Sequence, residues 1–363
     1  MPVRRVKFMV VACAALLAPL LGPAVARAGA AVRAPSPAPV MSHFNDSGDI
    51  LIADQFNNRV IEINRQHQIV WQYGLGPTDF SPRSIVGVND AQRVGFLTLM
   101  AGTGTPPNVV PTCTAAAGCP DNRVILVDPF GDILWQYGQF GVSGSGPDQL
   151  NTPVQSTWLP GAHILITDQA NERIIEVDLA KQIVWQYGMT GITGHGANQL
   201  NNPNSAELLA NGHILISDEN NDRAIEVTRD HKIVATFTAG GTASGVAFAS
   251  RLPNGHTLLT DSNNNRAVEV DKRDRVVWEY ATNSARNSNP APLPTRAVRL
   301  SNGDTLISDQ FNDRVIEVNK AKAIVFQMGT LNQPGIGSGL LNAPYDAKVI
   351  GDYTGLTPPF LLP

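Results

Sequence analysis

Five times along the chain an Asp is followed by an Asn three residues on and an Arg five residues on: Asp54/Asn57/Arg59, Asp168/Asn171/Arg173, Asp218/Asn221/Arg223, Asp261/Asn264/Arg266 and Asp309/Asn312/Arg314. A sixth copy keeps only Arg123. Such a set could place a ring of carboxylates around a divalent cation, the one cofactor this pattern suggests. A catalytic site needs one copy, however, so repetition argues for structure. Each Asp would cap its turn and pair with an Arg of its own or the adjacent unit, and each Asn would take a left-handed turn position.

The other groups with chemistry sort by whether they repeat. His163, His213 and His256 share one turn position, held by Asp49 and Asp304 in two other units, and His67 and His231 share another. Repeated turn residues are most simply solvated. His43 and His195 are singular and are the candidate general bases or metal ligands. No metalloprotease helix motif, nucleophile elbow or phosphate loop accompanies them. Trp71, Trp135, Trp185 and Trp278 recur in a Trp-Gln/Glu-Tyr motif that becomes Ala235 and Phe326 elsewhere, which suits packing between neighbouring sheets.

The elements that would position these groups follow from the spacing. The six arginines are 64, 50, 50, 43 and 48 residues apart, and only the first interval is long enough for an insertion. Within one unit, apolar runs at His163 to Thr167, Ile174 to Asp178 and Ile183 to Tyr187 follow a weaker run at Val154 to Leu159. Four strands at this period predict an all-β fold, a six-bladed β-propeller over 39–363.

In the second blade Ser84 to Val88 and Arg93 to Ala101 read as the first two strands, and 102–122 interrupts where the others have a short turn. That insertion shares a rim with long Gly-rich links between blades, such as 138–153, 188–203 and 329–344. Pro344 to Ile350 repeats the inner-strand segment and should close the ring as the inner strand of blade 1. Pro39 to Asn45 competes for that place.

Residues 1–28 read as a secretory signal peptide, with Arg4, Arg5 and Lys7 ahead of an apolar run and an Ala26-Arg27-Ala28 site. A lipid-attachment site at Cys13 is the rival reading. Residues 29–38 read as an extended or disordered lead-in. Removal of the leader leaves 23 basic against 31 acidic residues, a net charge of −8, which argues against a nucleic-acid partner. It also leaves Cys113 and Cys119 as the only pair, expected to form a local disulfide in an exported protein. The protein is expected to be a monomer.

The order Gly-x-x-Gln-Leu-Asn-x-Pro, then Asn-Gly-His-Ile-Leu-Ile-x-Asp-x-x-Asn-x-Arg-x-Ile-Glu-Val, seen in Gly196 to Val227, resembles the NHL repeat. The resemblance spans all six blades and implies a propeller; NHL propellers serve as sensors, as binding domains and as a metal-containing lyase. The run from Asn254 with Val276-Val277-Trp278-Glu279-Tyr280 is also similar to bacterial arylsulfotransferase-type propellers, with no matching histidine and arginine set fixed.

Aligned on the Pro that opens each inner strand, the channel positions two places later are Gln155, Ser205, Phe248, Arg296 and Asp346, with Arg83, Asn204 and Tyr345 one place after the Pro in their blades. They differ among blades while scaffold positions repeat. Arg83, Arg296 and Asp346 could orient a small anionic or polar ligand, or merely satisfy one another around water. The function expected is binding of a protein, peptide or glycan at the cell surface or outside the cell, through the rim bearing the Gly-rich loops and the Cys113/Cys119 insertion. The alternative is a lyase, hydrolase or sulfotransferase sited in the channel.

Overall fold

Short β-branched runs punctuated by Asp-Asn and Gly turns can bury their faces only against another sheet, and six such units do so in a closed ring. The computed structural model describes residues 43–359. The signal peptide, the lead-in and Cys13 lie outside the described residues.

Each blade is a four-stranded antiparallel sheet. Blade 3 is representative: Pro153–Leu159 is innermost, followed outward by His163–Asp168, Arg173–Val177 and Ile183–Tyr187. Blade 1 is assembled from both ends of the described chain. Pro344–Val349 pairs with Ile50–Asp54, Ile52 facing Ala347, so the C-terminal segment supplies the inner strand. His43 and Asn45, from the competing segment, lie in a turn instead.

Six apolar clusters sit at the six seams between blades. That between blades 1 and 2 joins Leu51, Val60 and Trp71 to Val88, Met100 and Ile125; that between blades 6 and 1 joins Leu306, Val315 and Met328 to Ile52 and Ile61. Five seams also carry a Glu–Arg pair under an aromatic ring. Glu62 pairs with Arg93 at 2.6 Å, and Arg93 lies 4.8 Å from the Trp71 ring. Glu269, Arg299 and Trp278 repeat the arrangement, as do Glu226, Arg251 and Phe237, with the ion pairs at 2.9 Å. Glu176 with Arg229 over Trp185, and Glu317 with Arg65 over Phe326, complete the set. The repeated Trp thus packs at the seams and adds a cation–π contact there. His163, His213 and His256 are not simply solvated: each Nδ1 lies 2.6–2.7 Å from the carboxylate of Glu176, Glu226 or Glu269.

The Asp-x-x-Asn-x-Arg motif is a hub that holds the loops of one rim. In blade 3, Asp168 accepts from Arg173 Nε at 2.7 Å, Asn171 at 2.8 Å and the amide of Asn151 at 2.8 Å, and Asn171 also donates to the Gly144 carbonyl in the Gly-rich link. The left-handed position belongs not to the Asn but to the residue after it, Asn58, Glu172, Asp222, Asn265 or Asp313, with φ of 49–56°. Each of those side chains accepts an amide from the entry of the next blade, as Glu172 does from Asn202 at 2.6 Å. The geometry needs one carbonyl-type oxygen aimed across the seam, which Asn, Asp and Glu each supply.

Blade 2 departs from expectation in register and in repair. Its inner strands are Val88–Val94 and Leu97–Thr105, displaced from Ser84 to Val88 and Arg93 to Ala101, because Gly87 rather than Pro82 is the entry: its amide donates to Asn58 Oδ1 at 2.9 Å. The hairpin continues to Thr105 and resumes at Cys119, so the insertion proper is 106–118, closed by the Cys113–Cys119 disulfide. Gly102 stands opposite Arg123 where the other blades have Asp. Asp121, two residues before Arg123, supplies the carboxylate from the arginine's own strand, accepting from Arg123 Nε at 2.5 Å and the Val86 amide at 2.7 Å. A Cβ on Gly102 would lie 2.6 Å from the Asp121 Cγ, so the glycine makes room for the transferred acid.

Candidate functional site

The inner strands present to the axis a row of backbone groups with no further strand to pair with, and the channel residues answer that need first. Ala91 donates its amide to Asp346 Oδ2, Ser156 to Asp90 Oδ2, Ala206 to Gln155 Oε1 and Ala249 to Ser205 Oγ, at 2.7–3.3 Å. Each blade's ring side chain therefore serves the inner strand of the next. The rule breaks at Phe248 and Arg296, which cannot accept.

Arg296 is 1 % exposed and lies 4.3 Å from the Phe248 ring. It meets Asp90 at 3.1 Å and Asp346 at 3.0 Å. Lys348 Nζ reaches the same two carboxylates at 2.7 and 2.5 Å and the Ala91 carbonyl at 2.9 Å. Burial pushes the Asp90 carboxyl above its ordinary range despite Lys348 and Arg296. Burial works on Asp346 in the same sense, but Lys348 and Arg296 outweigh it and hold that carboxyl low. Two cations and two acids thus neutralise one another in the middle of the channel.

Both ends are occupied as well. At the upper end Tyr345 of blade 1 and Asn204 of the opposite blade 4 meet across the axis, 2.8 Å from Nδ2 to the hydroxyl, beside a chain from Gln310 to Gln55 to Asn89 at 2.7–2.9 Å. At the lower end Glu207, raised by burial, takes Gln155 at 2.9 Å and Thr357 of the C-terminal segment at 2.8 and 2.6 Å.

Of the residues expected in the channel, Gln155, Asn204, Ser205, Arg296, Tyr345 and Asp346 are all there and buried. Arg83 is not: it is exposed on the link between blades 1 and 2, again because Pro82 does not open the strand. The residue in the place expected for Arg83, level with Asn204 and Tyr345, is Asn89, and the next one, Asp90, pairs with Ala101 as Asp346 pairs with Ala53. The Gly87-Val88 opening, parallel to Gly245-Val246 of blade 5, was the available signal. His43, exposed and 3.3 Å from Asp46, and His195, exposed on the Gly-rich link between blades 3 and 4, lie on opposite rims and do not converge. Among the described residues no group of three or more His, Cys, Asp or Glu could hold a metal ion.

The upper rim is different in character. Exposed aliphatic side chains stand on consecutive connections: Ile336 before blade 1, Leu75 before blade 2, Val109 on the disulfide-closed insertion, Val142 before blade 3, and Met189 and Ile192 before blade 4, each 39–48 % exposed. The links before blades 5 and 6 carry no exposed large hydrophobic residue. The insertion leans on its neighbour, Thr112 donating to the Pro77 carbonyl at 2.8 Å.

The molecule is a six-bladed β-propeller with a filled channel and one half of one rim tipped with aliphatic side chains. No protein-family model matches the chain, and no curated protein does. Solved structures do. A protein of unknown function from Bacteroides caccae shares 15% identity over 82% of this chain and 98% of that one, with a TM-score of 0.57. Virginiamycin B lyase from Staphylococcus aureus shares 15% over 77% and 80%, TM-score 0.50, and a streptogramin B lyase 12% over 78% and 81%, TM-score 0.51. At these identities the likeness is one of fold. Among the described residues no helix is long and apolar enough to cross a membrane.

Proposed function

We propose that this NHL-like propeller is an exported binding module whose ligand is a protein or peptide, held by the upper-rim sector that runs from the link before blade 1 to the link before blade 4. The observation that carries this reading is that the exposed aliphatic tips of the upper rim fall on four consecutive connections and the insertion between them. Aliphatic tips favour a protein or peptide surface over a glycan, and loops held by the Asp-Asn-Arg hubs lose little further entropy on binding. The channel side chains are already spent on one another, which favours the rim over a channel-sited lyase, hydrolase or sulfotransferase. The disulfide and the leader support export.

The test is comparative capture from extracts of the producing cell's envelope and medium. Wild type is set against Val142→Asp/Ile192→Asp/Ile336→Asp and against a control altered on the outer strands, Val184→Asp/Val277→Asp/Val325→Asp. A partner held by wild type and the control but lost by the rim variant supports the reading. Equal capture by all three, or loss only in the control, overturns it.

A further inference from the structure

The chain does not stop at the strand that closes the ring. After Val349 it turns at Gly351, where φ is +85°, and residues 350–359 cross the lower mouth of the channel as a strap. Asp352 anchors its start, accepting from the Ser301 amide at 2.7 Å and the Ser301 hydroxyl at 2.9 Å. Thr357 then sits in the mouth itself. Its amide and hydroxyl both donate to Glu207 Oε2, its hydroxyl oxygen accepts from the Leu208 amide at 2.9 Å, and its carbonyl accepts from Gln92 Nε2 at 3.2 Å.

One residue therefore engages a buried carboxylate, an inner-strand amide and a side-chain amide drawn from two blades. That is how a groove reads a peptide: backbone groups are matched first, and a hydroxyl is picked out by an acceptor that only a donor can satisfy. The strap does not fill what it covers. A cavity remains beneath it, walled by Gln92, Arg93, Ser156, Glu207, Lys348 and Leu356. Ser156 and Arg93 line this space, are 1 % and 5 % exposed, and leave Ser156 Oγ and Arg93 Nε without a hydrogen-bond partner.

We infer that the lower mouth is a peptide-binding site occupied in cis by the strap. It would accept in trans a peptide that presents Ser or Thr to Glu207 and a further oxygen acceptor to Ser156 and Arg93. The site is separate from the rim assigned above and does not depend on that reading. Tethering gives the strap an effective concentration in the millimolar range, so a trans peptide enters when the strap is released or when it makes the contacts the strap leaves unmade.

The probe is a fluorescein-labelled peptide of residues 350–359, its binding to full-length protein followed by anisotropy. Thr357→Asp in the protein sets a second carboxylate against Glu207 and expels the strap, so this variant should bind the probe at least about tenfold more tightly than wild type. Adding Glu207→Ala should abolish the gain, and a probe carrying Val in place of Thr357 should bind more weakly. If Thr357→Asp fails to fold, Thr357→Val in the full chain removes only the hydroxyl contacts, and a gain of about threefold or more is expected. Equal binding by wild type and the folded variants, or no binding by either, overturns the inference.

Discussion

Asp313 is the residue at which the cross-seam clasp of the upper rim should work against the fold. It occupies the left-handed position before Arg314, with φ of 55°, is 5 % exposed, and accepts the Ala343 amide at 3.0 Å where the Gly-rich link enters blade 1. Burial pushes its carboxyl from 3.8 up to about 6; the Ala343 amide pulls it back, and Asp54 and Asp309 add to the rise. The folded state therefore holds this proton more tightly than the unfolded state. Its stabilising contribution is complete below about pH 4 and is lost as pH rises through about 6. That displacement corresponds to about 3 kcal/mol at neutral pH, and solvent on the open side of the group screens it to about 1–2 kcal/mol. Blades 1, 2 and 5 hold Asn58, Asn122 and Asn265 in the same position, each accepting the same kind of amide without a charge. Asp313→Asn should thus be more stable than wild type by about 1–2 kcal/mol at pH 7.5 in urea unfolding, with the gap closing toward pH 4. A variant of equal or lower stability at pH 7.5, or a gap that does not change with pH, refutes the reasoning.

Three further outcomes follow from the geometry. Arg296→Ala leaves Asp90 and Asp346 facing Lys348 alone and should cost about 3–5 kcal/mol in urea unfolding, with a double-mutant cycle against Asp90→Asn recovering part of the loss. Gly102→Ala forces a Cβ against Asp121 and Ile85, each 2.6 Å away, and should lower stability by about 1–3 kcal/mol. Cys113→Ser opens a disulfide between residues six apart, worth about 2 kcal/mol to the local loop. Limited proteolysis should then cut within 106–118 sooner while the melting of the ring is little changed.

Much of the architecture was legible because it repeats. The Asp-x-x-Asn-x-Arg spacing located five hairpins, and the further copy of the inner-strand pattern at Pro344 located the closing strand. Blade 2 was misread for a definite reason. Its carboxylate moved from one strand of the hairpin to the other, so Asp121 pairs with Arg123 along the same strand, and Gly102 has taken the expected place opposite. The linear motif records an Asp and an Arg five residues apart across a hairpin turn, whereas the ion pair requires only that they be close, which two residues of spacing on one strand also achieve. Without that anchor, the alignment fell on Pro82 and passed over Asp90.

The chain's own letters determine the number of blades, their strand order and the cysteine pair, because hydrophobic period, turn residues and repeat spacing are local properties that each unit carries alone. The partners across the axis were decided by tertiary structure. Tyr345 with Asn204, Arg296 with Asp90 and Asp346, and Thr357 with Glu207 each join blades distant in sequence. No periodicity encodes those meetings: they arise only when ring closure brings six inner strands within reach of one another, and buried polar groups must then find partners there or remain unpaired.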